Sequence, residues 1–183
     1  FPPNGPRFVY WVSEGHGDGR TYDLVADGRV HRTGAFLPGP VAFSDDGARW
    51  ASMILEPGEP AGTIRAVRIL VNGEDAGRFT DASAPAVSPD GRHIAYLAAS
   101  GDGGRTLWVD GVAQTTFAAP GTPCARAAAA EASHPELPQH HVVRYLADDR
   151  LLVVTRDADG WGIYRDGTRL GVYPTSTFDR LGA

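Results

Sequence analysis

Lysine is absent from this chain, and all 17 of its basic residues are arginine. That excludes Schiff-base chemistry and any lysine nucleophile. Cysteine occurs once, at Cys124, so no intramolecular disulfide framework exists and the compartment is left open. No stretch holds enough consecutive apolar residues to cross a bilayer, so insertion into a membrane is not expected. The formal net charge is −5 with dispersed arginines, which argues against nucleic acid, since a binding groove needs a basic stripe. Methionine is found only at Met53 and Phe1 stands first, which fits a chain that has been processed, trimmed or taken from a longer one.

Turn chemistry, by contrast, is plentiful, with 23 glycines and 14 prolines, as suits an all-β protein. Four segments end in the same way: Leu24-Val25-Ala26-Asp27-Gly28, Ile69-Leu70-Val71-Asn72-Gly73, Leu107-Trp108-Val109-Asp110-Gly111 and Ile163-Tyr164-Arg165-Asp166-Gly167. Asp-Gly and Asn-Gly favour two-residue type I′ hairpins, which need positive φ at both central positions. Before the last three hairpins come short apolar strands closed by acidic turns: Val41 to Gly47, Ala86 to Gly91 and Val143 to Asp149. An apolar run follows each of those turns, Trp50 to Leu55, Ile94 to Ala99 and Leu151 to Thr155, and a matching run, Phe8 to Val12, precedes the first hairpin. A more polar segment follows every hairpin tip.

The unit is therefore four short antiparallel strands, a to d, repeating at about 40 residues, the period of β-propeller blades. The expected fold is an all-β propeller of about four four-stranded blades over residues 1–38, 39–83, 84–118 and 141–174. An insert spans residues 119–140. Two closures are open. Residues 175–183 include a spare strand that would complete blade one and close a four-blade ring, or the four blades are a segment of a larger propeller.

The third blade carries a resemblance. Ser88-Pro89-Asp90-Gly91-Arg92-His93-Ile94-Ala95-Tyr96, followed by Leu107 to Gly111, resembles the WD40-like (PD40) repeat of TolB-type propellers. The likeness covers the chain outside the insert and loosens in the second and fourth blades. It implies a fold, with no shared catalytic residues to carry over. It also favours a bacterial protein in a periplasmic or secreted setting. Members of that family serve as binding platforms, envelope proteins or lids on peptidase domains, so fold likeness leaves function open.

In such a repeat the a–b and c–d turns share one face and the b–c and d–a connections share the other. The first set is uniformly tight and reads as structural. The second departs from the repeat in length and chemistry, and loops on a rigid scaffold are where function concentrates. It supplies the candidate binding residues His16, Asp18, Glu56, Glu59, Asp102, His141, Asp157 and Asp159. Gly and Asp are also simply good loop residues, which is the plain alternative. Asp157 and Asp159 open like a calcium loop, although the downstream acidic ligand is missing. No other cofactor is indicated.

Thr122, Pro123 and the alanine run behind Cys124 predict a short helix in the insert. Its N-terminus would lower the Cys124 pKa, and with His134 and His140 nearby this permits a Cys–His nucleophilic site. It equally permits an inert cysteine, and the spacing matches no compact zinc site. Trp11, Trp50, Trp108 and Trp161 are expected between blades. His31 and His93 read as surface residues. Arg65 and Arg68 are expected to face solvent, where they would be able to grip a carboxylate-bearing partner.

Three functions follow. One is a non-catalytic module that binds a protein, peptide or glycan on the loop face. Another is an enzyme with a site at the channel mouth, built from Cys124, the insert histidines and loop acids. The third is a segment or lid of a larger hydrolase, with further blades or another domain supplied by the parent or a partner chain.

Overall fold

The computed structural model describes residues 8–15, 20–35, 37–60, 63–100, 103–118, 141–157 and 160–173, with side chains given for all but 32–35, 37, 38, 157 and 173. Every described element is a strand, and every strand pair is antiparallel. Blade one contributes β1 (Val9–Glu14), β2 (Thr21–Ala26) and β3 (Arg29–Ala35), a three-stranded sheet among the described residues. Blade two is β4 (Leu37–Phe43), β5 (Trp50–Pro57), β6 (Ile64–Val71) and β7 (Glu74–Phe79). Blade three is β8 (Ala86–Val87), β9 (Ile94–Ala99), β10 (Arg105–Val109) and β11 (Val112–Phe117). Blade four is β12 (Val142–Tyr145), β13 (Leu151–Asp157), β14 (Gly160–Arg165) and β15 (Thr168–Tyr173). The fold is a β-propeller array.

The hairpin chemistry is as the sequence demands. Asp27, Asn72, Asp110 and Asp166 have φ of 49°, 50°, 52° and 49°, and the glycine after each is also left-handed. Three of these tip residues, Asn72, Asp110 and Asp166, have a second task that the turn type alone does not announce. Asp110 donates its N–H to the Ile94 carbonyl at 2.9 Å, and its Oδ1 accepts the Ile94 N–H at 2.9 Å. Asn72 brackets Trp50 and Asp166 brackets Leu151 in the same way. The c–d tip thus holds the first residue of strand b and ties three strands together.

The a–b turns are equally stereotyped. Ser44 donates its N–H to the Arg49 carbonyl at 2.9 Å, and the Arg49 N–H returns to Ser44 Oγ at 3.0 Å. The Ser44 hydroxyl donates to Asp46 Oδ1 at 2.7 Å. Ser88, Asp90 and His93 repeat that arrangement in blade three. In blade four the serine is replaced by Leu146, and Asp149 takes the left-handed position with φ 59°.

One boundary differs from expectation. Strand a of blade two begins at Leu37, so the division at residue 38/39 falls inside β4. Pro38 and Pro40 have no N–H to donate, but β4 is an edge strand, where proline is tolerated at a break in register between Pro38 and Val41. Gly39 lets the two backbones approach there: a Cβ would overlap the Met53 carbonyl.

Alternation along each central strand sends residues to two faces, a front face toward the next blade and a rear face toward the preceding one. The buried side chains form three clusters, one per junction. Leu24 and Ala26 of blade one meet Trp50, Ile54 and Leu70 of blade two. Met53, Leu55 and Ile69 meet Ile94, Tyr96 and Ala98 of blade three. Leu97, Leu107 and Phe117 meet Val143 and Val153 of blade four. Aromatic rings wedge the junctions: Phe79 lies 5.5 Å from Tyr96 and 5.6 Å from Trp108, and Phe117 lies 4.7 Å from Tyr164. Trp50 and Trp161 are buried, while Trp11 and Trp108 are half-buried. Among the described residues no fourth cluster joins blade four to blade one. Residues 175–183, where a spare strand is expected, lie outside the described residues.

Candidate functional site

The tight-turn face uses its polar groups internally. Asp46 Oδ1 accepts the Ala48 N–H as well as the Ser44 hydroxyl, and Asp90 Oδ1 accepts the Arg92 N–H as well as the Ser88 hydroxyl. Those serine hydroxyls, followed by the backbone donors, hold both carboxyls below the usual range. Arg49 reaches from blade two to the Gly91 and Arg92 carbonyls of blade three at 3.1 and 2.7 Å. His93, expected as a plain surface residue, is exposed but sits 2.7 Å from Asp110 Oδ2 through Nδ1. Burial, reinforced by the charges of Asp110, Asp90 and Asp149, pushes the Tyr145 phenol up to about 12. It remains protonated at any physiological pH and is no base.

His31 departs from its surface reading. It is half-buried at the first junction, with its ring 6.0 Å from Trp50 and edge-on to it. Strand d of blade one is covered there by the next blade, which a blade-by-blade reading cannot see.

The loop face carries a different chemistry. Glu56 follows the buried run of β5, beside the b–c connection of blade two, and its side chain is 13% exposed. Arg65 and Arg68 from β6 and Arg78 from β7 converge on it, at 3.1, 3.0 and 2.8 Å. Register explains the convergence: Glu56 pairs with Ala66, and Arg68 pairs with Arg78 on the neighbouring strand. Arg68 also meets Asp75 at 3.4 Å. The bonds from Arg78, then Arg65, outweigh partial burial and hold the Glu56 carboxyl below its ordinary value. Arg65 and Arg68 therefore grip a carboxylate of their own chain. Arg65 remains 66% exposed and Arg78 52% exposed. Sequence reasoning missed Arg78, although the Asn72-Gly73 hairpin fixes the register that places it.

Glu59 is exposed in a turn closed by the Gly58 N–H on the Thr63 carbonyl at 2.8 Å and by the Thr63 hydroxyl on the Pro60 carbonyl at 2.8 Å. His141 stands at the head of β12, its Nδ1 2.8 Å from the buried Thr155 hydroxyl and its ring 5.7 Å from Trp161. Asp81, in the d–a connection into blade three, pairs with Arg105. Glu56 and Glu59 thus share one loop end of blade two, while His141 belongs to blade four. His16, Asp18, Asp102, Asp159, Cys124, His134 and His140, with the insert helix, lie outside the described residues, as does the Asp157 side chain. Among the described residues no group of three or more His, Cys, Asp or Glu is gathered to hold a metal. None of the described segments is a helix long and apolar enough to cross a membrane.

No protein-family model matches the chain, and no curated protein sequence does. Solved structures do. TolB from Acinetobacter baumannii aligns with 15% identity over 86% of this chain and 38% of its own, at a TM-score of 0.48. The β-propeller domain of the Trilobed protease from Pyrococcus furiosus aligns with 14% identity over 75% of this chain and 43% of its own, at 0.44. This chain spans well under two thirds of either structure. Its propeller architecture rests on its own blade geometry.

Proposed function

We propose that the chain is a non-catalytic binding module that holds a carboxylate-bearing protein or peptide segment on the face of the b–c and d–a connections. One observation carries this reading. Three guanidiniums surround the Glu56 carboxylate, and two of them, Arg65 and Arg78, turn most or half of their surface to solvent. A guanidinium has five N–H donors in a rigid fork suited to carboxylates, so three of them offer more than Glu56 and Asp75 accept. Glu56 holds the arginines in place ahead of binding and lowers the ordering cost that long side chains otherwise bring. Among the described residues the opposite face spreads its exposed guanidiniums, Arg92 and Arg150, over separate turns, each beside an aspartate, and gathers no three around one carboxylate. The insert 119–140, the most individual segment of the sequence, joins strand d of blade three to strand a of blade four and is proposed to supply further contacts.

Panning a displayed peptide library against the chain tests this reading. Asp- and Glu-rich sequences should be retained, and Arg65→Ala with Arg78→Ala should release them while the thermal midpoint shifts by only a few degrees. Replacing 119–140 by a short Gly-containing turn should weaken retention and leave the fold intact, because surface loops tolerate length change. A library that yields no binder, or binders indifferent to both changes, sinks the proposal. Binding to a neutral glycan array instead would assign the face to a different ligand class.

A further inference from the structure

The rear face of blade one is built like the rear faces that the other blades bury. Counting from the first residue of strand b, Phe8, Tyr10 and Val12 stand where blade three has Ile94, Tyr96 and Ala98, all buried against blade two. They also stand where blade two has Trp50, Ser52 and Ile54, again buried. In blade one these side chains are 53%, 46% and 40% exposed, although Val25, opposite Tyr10 on the same face, is buried. Their sheet also ends at β1, with no strand beyond it among the described residues.

The front face of blade four is the other half of such a junction. Leu152, Val154 and Ile163 correspond to Ala51, Met53 and Ile69 of blade two, which are buried against blade three. In blade four all three are partly exposed, and Val142 beside them is 46% exposed. The charges on the two open faces are opposite. Glu14 and Asp23 share the rear face of blade one by strand alternation, and Arg144, Arg156 and Arg165 share the front face of blade four. Arg156 lies at the same end of strand b as Glu14.

We propose that two copies of this chain close head to tail into one ring, each copy laying the front face of its blade four on the rear face of blade one in the other. The contact is heterologous, the kind that generates a ring when its rotation closes and a filament when it does not. Two copies of the four described blades make eight, at the upper end of the usual four to eight for a propeller, whereas three copies would pass it. Apolar area, blade geometry and charge sign all match a partner that presents the blade type the chain already packs against itself at three junctions.

Light scattering after size exclusion, with far-UV circular dichroism as the folding control, tests the proposal. The unmodified chain should carry the mass of two copies. Tyr10→Glu blocks one face and Val154→Glu the other, so each variant alone should run as a folded monomer. Mixed in equal amounts, they should recover a dimer, because each retains the half that the other lacks. Val142→Glu, at a more exposed position, takes the place of Val154→Glu if the latter fails to fold. A monomeric unmodified chain overturns the two-copy ring. So does an open ladder of species, a dimer indifferent to the substitutions, or a mixture that stays monomeric.

Discussion

The imidazole of His31 in blade one occupies the space into which a side chain at Gly73 of blade two would project. Gly73 also has φ +86°, so it is glycine for two separable reasons. At Gly111, with φ +77°, no atom lies within 4 Å of an added Cβ, and only the backbone reason applies. Gly111→Ala should therefore cost about 1 kcal/mol, the left-handed penalty alone. Gly73→Ala should cost about 2–4 kcal/mol, because overpacking adds to that penalty. In a His31→Ala background the two alanines should cost nearly the same. A double-mutant cycle by urea denaturation reads the coupling; additivity would refute the contact.

Asp110 separates the turn from the bracket. Asp110→Gly keeps the positive φ and the backbone bond to the Ile94 carbonyl but loses the side-chain bonds to Ile94 and His93, so it should cost about 1 kcal/mol. Asp110→Ala loses the same bonds and pays the left-handed penalty too, for about 2 kcal/mol. If the alanine variant is the more stable one, the tip residue is not held as described.

Much of this fold was legible because its decisive chemistry is local. Asn72-Gly73 dictates its turn whatever surrounds it. The repeat around it dictates strand order. The bracket from Asp110 to Ile94 was hidden, since it joins residues 16 apart in sequence through the third dimension. Glu56 was singled out as a loop acid, but its arginine partners come from two other strands and emerge only once the register is fixed. His31 was misread because its cover belongs to a different blade. The loop residues His16, Asp18 and Asp102 obey no repeat, so nothing in the pattern constrains their placement.

Glu56 makes stability depend on pH. Its carboxyl is lowered in the folded chain from an ordinary value of 4.5, so its contribution is fully present above that pH. It is lost as pH falls from there through the lower folded value. Glu56→Gln should cost about 1–2 kcal/mol at pH 7, reduced by solvent screening at the exposed arginines. Denaturation curves at pH 7 and pH 3 should show that penalty shrinking in acid. A penalty constant across that window would show that the charge of Glu56 is not what matters.

Trp11 encloses its indole N–H at the first junction with no acceptor among the described residues. A buried donor left unpaired is a standing cost of about 1–3 kcal/mol. Trp11→Phe removes that donor and some apolar area together, so the thermal midpoint should move little or rise. A loss as large as an ordinary core truncation, about 3 kcal/mol or more, would reveal an acceptor.

In blades two, three and four the outermost strand carries one extra residue a few positions past the hairpin tip: Ala76, Gln114 and Leu170 each stand opposite no partner. A bulge there breaks the even run of amides and carbonyls that another strand would need for docking, and increases the local twist. The perimeter of the molecule is thereby made a poor template for growth of a sheet. Self-association is steered away from backbone pairing at the rim, the geometry of fibrils, and toward contact through side chains on the broad surfaces. A chain so rich in short β-strands thus has a built-in defence against amyloid-like stacking, repeated once in each of these three blades.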